Sequence, residues 1–451
     1  MSTRQPLTAV DSAWLRMEHP TNLMTITGVM TFRGIVDFHQ LKGLIEDKLL
    51  CHPRFRQKVV EPRLPLASPR WEDDELFDLH RHLHRVALPE PRDKACLQEM
   101  VSDLMATPLD RSRPLWQMHY IDNFKGGSAL ITRIHHCIGD GISLMQVVLG
   151  MADPGEQPSL PKVGHNNRRK SRGLAETLLH EGAEVLANPA RLQELWQSGG
   201  EAAKTLGRLV TLSADADTPL RGPLCVRKRV AWSAPIPLEQ VKLIGRRLGA
   251  TLNDVLMSAV AGALRTYLLQ REVAADGLDV RVVVPVNLRP PDEHTLGNKF
   301  GLVFLALPVG LADPVARLAK IKERMDRIKG SPEAFVTFGL LQAVGMTTAQ
   351  VEEIVLNIFG QKATGVATNV PGPQQPIHFC GVEVDGVMFW VPQSGRLGLG
   401  ISILSYVGKV RIGIATDTGL VADPEAIVEA YHQALDELAE VAARAAAEPP
   451  A

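Results

Sequence analysis

The sequence predicts an α/β protein built from two sandwich-like domains with mixed sheets. Three observations carry that expectation. The chain has 451 residues, more than one ordinary hydrophobic core organises, so two domains is the default. Strand-like runs alternate with helix-period segments in both halves, as in layered α/β architectures. Between the halves the composition shifts to a basic cluster, then Ala/Leu/Glu-rich helix, then loop containing Asp, Pro and Gly. The expected division is 1–155, a connection over 156–222, and 223–451.

In the first half, Leu7–His19 has helical apolar spacing around Trp14, and Met24–Phe32 has strand character. Asp37 is placed to cap a helix through Leu50, and Asp93–Met105 reads as a second amphipathic helix. Asp78–Leu88 is expected as a half-exposed strand with His80, His82 and His84 on one face, a spacing that also suits a metal. Pro114 ends the preceding helix, Trp116 is a large anchor, and Gln117–Ile121 is a strand. A turn at Asn123–Gly127 joins it to the strand Ala129–Ile134.

The second half restarts with a strand at Lys228–Trp232 and a helix over Leu238–Leu248 that closes on Gly249. Thr251 to Asp254 opens a helix to Leu269, with Thr251 or Asn253 as its cap and Asn253 and Asp254 as braces. Strands follow at Val282–Val286, Phe300–Val309, Thr364–Val370, Val382–Trp390, Leu399–Tyr406 and Val410–Thr416. Helices are expected at Pro314–Lys329 and Pro424–Ala447.

Composition narrows the function classes. A net charge of -1 argues against nucleic-acid binding. Five scattered cysteines with no CxxC pair read as reduced thiols of a cytoplasmic protein. Met1–Asp11 has no signal-peptide pattern, and no apolar run is long enough to span a membrane.

The chemistry-bearing stretch is His135-His136-Cys137-Ile138-Gly139-Asp140-Gly141. A buried strand that stops on two histidines and turns through Gly-Asp-Gly presents an imidazole at an element edge. Histidine, with an unperturbed pKa of about 6.5, takes and returns a proton near neutrality. The general base is assigned to His136. Alternatives are a packed histidine pair, a metal site using His136 and Asp140, and Cys137 as an acyl nucleophile. The metal site needs a further histidine. Sequence neighbours do not by themselves place the Cys137 and histidine side chains together.

This stretch resembles the HHxxxDG motif of the CoA-dependent acyltransferase superfamily. That superfamily includes chloramphenicol and carnitine acyltransferases and peptide-synthetase condensation domains. Over nearly its whole length the chain resembles the bacterial wax ester synthase/diacylglycerol acyltransferases. The matches include Leu7 to Asp11, Pro114-Leu115-Trp116, Thr251 to Val255, Pro285 to Arg289, Gly297-Asn298, Thr368 to Pro373, and Leu404 to Tyr406 followed by Gly408. Cys137 departs from the smaller residue often found there.

The resemblance implies two chloramphenicol-acetyltransferase-like lobes with an interlobe tunnel. Acyl-CoA would enter from one face, as a substrate rather than a cofactor, and diacylglycerol or a fatty alcohol from the other. His136 would be the base, with His135 beside it and neither a metal nor an acyl-enzyme required. Asp140 would be structural, fixing the loop through backbone donors or an ion pair with Arg289 as candidate partner. Gly141 would leave room for the CoA arm. Asn287, Asn369 and Trp116 are the substrate-side candidates, although the residues around Trp116 alone read as a core plug. Attachment to a membrane or lipid-droplet surface would be peripheral, with the basic run Arg168-Arg169-Lys170 and Arg172 as its electrostatic part. Two other readings are transfer to a different hydroxyl or amine acceptor and a non-catalytic lipid-surface binder. The intact histidine–aspartate loop favours catalysis over binding alone.

Overall fold

The computed structural model describes residues 5–62, 68–153, 201–290, 293, 295–347, 349–393 and 395–447. Two large mixed sheets face each other. The first runs Leu83–Val86, Trp116–Phe124, Gly127–His135, Thr25–Phe32, Val382–Trp390 and His378–Phe379 from edge to edge. Its first pair is parallel and the rest are antiparallel. The pleat sends alternate residues to opposite faces. Leu130 and Ile134 enter one core with Trp116, Tyr120 and Met30. Ala129 and Ile131 of the same strand instead meet Val230, Trp232 and Phe389 between the lobes. Burial on both faces explains why apolar residues occupy both parities of 129–134.

The second sheet runs Phe300–Leu307, Val280–Asn287, Gly365–Pro371, Leu399–Tyr406, Lys409–Asp417 and Lys228–Trp232. Its two central pairings are parallel. The helices Leu252–Leu269 and Pro424–Ala447 cover one face, where Val255, Leu264, Ile401, Ile412 and Leu438 form the core. The first of these starts at a capping box: Thr251 Oγ1 accepts Asp254 N–H at 3.3 Å and Asp254 Oδ2 accepts Thr251 N–H at 2.8 Å. A small third sheet pairs Gln5–Pro6, Arg70–Asp73 and Gln57–Val60.

Four features depart from the sequence reading. Val382–Trp390, inside 223–451, leaves its own lobe and pairs with Thr25–Phe32. The lobes therefore share a sheet, and the boundary in sequence is not a clean boundary in space. The expected strand over Asp78–Leu88 is a 3-10 turn, Leu79–Arg81, followed by the short strand Leu83–Val86. The helix after Asp37 ends at Leu44 and continues as one wider π-turn, Ile45–Leu49. Two helices, Glu333–Gly345 and Ala349–Gly360, have no counterpart in the sequence reading. Of the connection, Glu201–Thr211 is helical; the basic run at 168–172 lies outside the described residues.

The two unanticipated helices tie the C-terminal lobe to the first helix, Ala9–Arg16. A side chain at Gly345 would collide with the Ala9 carbonyl, so the helices touch backbone to backbone. Arg16 donates to Glu352 Oε2 at 2.7 Å and to the Gly345 carbonyl at 2.9 Å.

Candidate active site

The strand Gly127–His135 delivers both histidines to the edge of the first sheet. His135 lies opposite Thr25, and His136 N–H extends the pairing by donating to Met24 O at 2.7 Å. The chain then turns, Ile138 N–H donating to His135 O at 3.0 Å. A side chain at Gly139 would crowd Ser143 Oγ, whereas one at Gly141 would meet nothing within 4 Å. Gly141 therefore leaves open space beside the loop.

Asp140 closes this turn. Its Oδ1 accepts Ser143 N–H at 2.8 Å, capping the helix Gly141–Gly150. Its Oδ2 accepts Lys299 N–H and Arg289 Nη2–H, both at 3.0 Å. Arg289 also donates to Gly297 O at 2.8 Å and Thr295 O at 2.5 Å. The Arg289 and Asp140 side chains are only 2% and 8% exposed. The ion pair considered from the sequence is thus present. It joins a loop of one lobe to a turn of the other, with every Asp140 carboxylate oxygen engaged.

The two histidines sit differently. His135 Nδ1 accepts Cys137 N–H at 3.1 Å, so its proton resides on Nε2, which lies 3.2 Å from Glu18 Oε2. Burial alone would raise the Glu18 pKa, but His135 and Arg111 outweigh it and hold the carboxyl at about 2. Glu18 is therefore a carboxylate, and His135 is anchored to it.

His136 has no carboxylate within ion-pair distance among the described residues. Its ring instead stacks on Trp14, with centroids 4.2 Å apart and planes at 17°. Phe300 of the other lobe packs at 5.6 Å and 51°. Asn298 Nδ2 donates to both the His136 carbonyl and Asp11 Oδ1 at 2.8 Å. Burial pushes the His136 pKa down to about 4, and the Asp140 charge offsets only part of that. The imidazole is accordingly neutral, the form a general base requires, well below neutral pH.

Cys137 is 1% exposed, and burial pushes its thiol well above the usual range. A protonated, enclosed thiol is a poor nucleophile.

Trp116, offered from the sequence as a substrate contact, is a core residue. It has no exposed surface, donates from Nε1 to Phe55 O at 2.9 Å and stacks on His82 at 4.6 Å. His82 is buried between Phe77 and Trp116, while His84 faces His119 across adjacent strands, so the three alternating histidines do not share a face. Asn287 Oδ1 accepts Arg289 N–H at 3.0 Å, shaping the turn that carries Arg289 to Asp140. Asn369 Nδ2 donates to Asn253 Oδ1 at 2.7 Å, joining a sheet strand to the start of Leu252–Leu269. Both asparagines are half-buried supports in the C-terminal lobe. A cavity of about 400 Å³ lies beside Arg111, between Leu15, Lys58–Glu61 and Ser112; His136 does not line it.

The sequence alone does not single out Trp14, Glu18, Asn298 or Phe300 as site residues. Trp14 reads as one more apolar residue of the entry helix. Asn298 enters the sequence reading only as part of the Gly297-Asn298 match.

Residues 7–256 match the family model of the wax ester synthase/diacylglycerol acyltransferase catalytic domain, and residues 296–439 match the C-terminal domain of the same family. The chain belongs to this acyltransferase family. A probable diacylglycerol O-acyltransferase of Mycobacterium tuberculosis is 29% identical over 452 residues, covering 97% of this chain and 96% of the relative. The solved wax ester synthase/diacylglycerol acyltransferase from Marinobacter aquaeolei is 22% identical, with a TM-score of 0.70 over 97% of this chain and 100% of its own. A condensation domain of the calcium-dependent antibiotic synthetase is 16% identical, with a TM-score of 0.63 over 98% of this chain and 96% of its own. At these identities the two structures show a shared two-lobe fold.

Proposed function

We propose that this acyltransferase moves a long-chain acyl group from acyl-CoA to the hydroxyl of diacylglycerol or a fatty alcohol, with His136 as general base. The observation that carries this reading is a neutral imidazole on a loop clamped by both lobes, with no other ionisable group of the loop free to act. The acceptor hydroxyl gives its proton to His136 as its oxygen bonds to the thioester carbonyl carbon. The tetrahedral oxyanion then collapses, the carbon–sulfur bond breaks, and the imidazolium returns the proton to the departing CoA thiolate. Ester and free CoA are the products. Asp140 and Arg289 hold the loop, and Gly141 leaves space for the CoA arm. Asn287 and Asn369, on neighbouring parallel strands of the C-terminal lobe, are candidates for the substrate side of an interlobe tunnel.

The acceptors partition into lipid, so such a tunnel would open on a lipid surface. No described helix is long and apolar enough to cross a membrane, and attachment by exposed apolar and basic side chains fits that. The test presents purified protein with palmitoyl-CoA and phospholipid vesicles carrying hexadecanol, diacylglycerol or neither, following thiol release and flotation together. The expected result is acceptor-dependent release, with protein floating alongside the vesicles. Flotation without release from either acceptor would favour a lipid-surface binder. Release without flotation would remove the surface association.

A further inference from the structure

Among the described residues, no carboxylate pairs with the imidazole of this base. In Ser-His-Asp sites a carboxylate behind the imidazole fixes its plane and stabilises the imidazolium. Here the nearby carboxylates are otherwise committed. Asp140 is spent on Ser143, Lys299 and Arg289. Glu18 holds His135 and Arg111, and Asp11 is bonded by Asn298. The large flat partner of His136 is the Trp14 indole, stacked at 4.2 Å and 17°.

We propose that Trp14 is a positioning residue for His136: its indole face fixes the plane of the ring and stabilises the imidazolium formed during transfer. Three features support this. Trp14 is 5% exposed and His136 4% exposed, so the contact is dry, where an aromatic face attracts a cation most strongly. Phe300 closes another side of the ring at 5.6 Å, so stacking rather than solvent sets its orientation. The helix bearing Trp14 is itself fixed, by Asp11 through Asn298 to the His136 carbonyl, and by Arg16 to Glu352 and Gly345 of the other lobe. A single helix thereby reaches the His136 backbone and ring from one side while gripping the C-terminal lobe on the other.

This inference rests on His136 being the base, so His136→Ala is run beside the Trp14 variants. Trp14→Phe keeps an aromatic face; Trp14→Leu keeps apolar bulk without one. The titratable groups that bear on the ring, Asp140 and His135, are unchanged in both. Trp14→Leu is expected to lower kcat about 30-fold, equivalent to ~2 kcal/mol for a desolvated cation–π contact. KM should stay within about twofold. The acid limb of its kcat/KM profile should move to lower pH, because the imidazolium loses a partner. Trp14→Phe should stay within about threefold of the unaltered enzyme, with its acid limb in place. Unchanged kcat and pH profile in Trp14→Leu, with His136→Ala inactive, would overturn the role of Trp14 alone. Equal losses in both Trp14 variants with an unmoved acid limb would reduce Trp14 to packing and also overturn it. A folded His136→Ala enzyme with full turnover would instead overturn the base assignment.

Discussion

His136→Ala is expected to lose about 100- to 10,000-fold in acyl transfer, the usual consequence of removing a general base, while retaining its fold. The fold should survive because the backbone contacts of His136 do the structural work. Its N–H pairs with Met24 and its carbonyl accepts from Asn298, and alanine keeps both. Cys137→Ala is expected to keep most activity, since the buried thiol is held protonated and is not required to attack. The check is steady-state thiol release by both variants, with near-ultraviolet circular dichroism to establish that each is folded. Near-normal turnover by folded His136→Ala would remove the mechanism.

Asp140→Ala is expected to cause the largest fall in stability of any single change near the site. It removes a helix cap, typically worth about 1 kcal/mol, and leaves Arg289 buried without its closest carboxylate. Breaking a buried pair from one side typically costs about 3–5 kcal/mol. The remaining bonds of Arg289 to Thr295 O and Gly297 O, and Glu293 at 3.6 Å, keep the expected loss near the lower end. Asp140→Asn separates the two contributions, because asparagine still caps a helix but carries no charge. Urea unfolding should therefore rank native above Asn above Ala, with activity falling in the same order. An Asp140→Ala protein that unfolds like the native enzyme yet is inactive would give Asp140 a direct part in the chemistry.

The legible and illegible parts of this molecule differ in range. The strand Gly127–His135, the cap at Asp37 and the C-terminal helix Pro424–Ala447 follow from local periodicity and capping chemistry, which a sequence states directly. The choice of partner does not. Val382–Trp390 has a strand pattern wherever it pairs, and nothing within those nine residues directs it to the first sheet. Glu333–Gly345 is apolar around most of its circumference because it packs against both lobes, so it lacks the one-sided stripe that marks a surface helix.

The site divides in the same way. The histidine–aspartate loop is contiguous, and Arg289 could be proposed for Asp140 because an enclosed carboxylate needs a charge or donors. Trp14 and Glu18 reach the loop from about 120 residues away. Their spacing is what any core-facing helix shows, so their roles appear only once the fold brings them to His136 and His135. Trp116 is the opposite case: a large aromatic close in sequence to the histidines lies on the core face of its sheet, as the core-plug reading of its neighbours expects.

The central claim is direct transfer through one ternary complex, without an acyl-enzyme. Rapid mixing of the enzyme with palmitoyl-CoA in the absence of acceptor tests it most directly, with thiol release and protein mass followed together. The account predicts no burst of CoA and no mass increase, then one ester formed per thiol released once diacylglycerol or hexadecanol is supplied. A burst of about one thiol per enzyme, with acyl-modified protein, would contradict it.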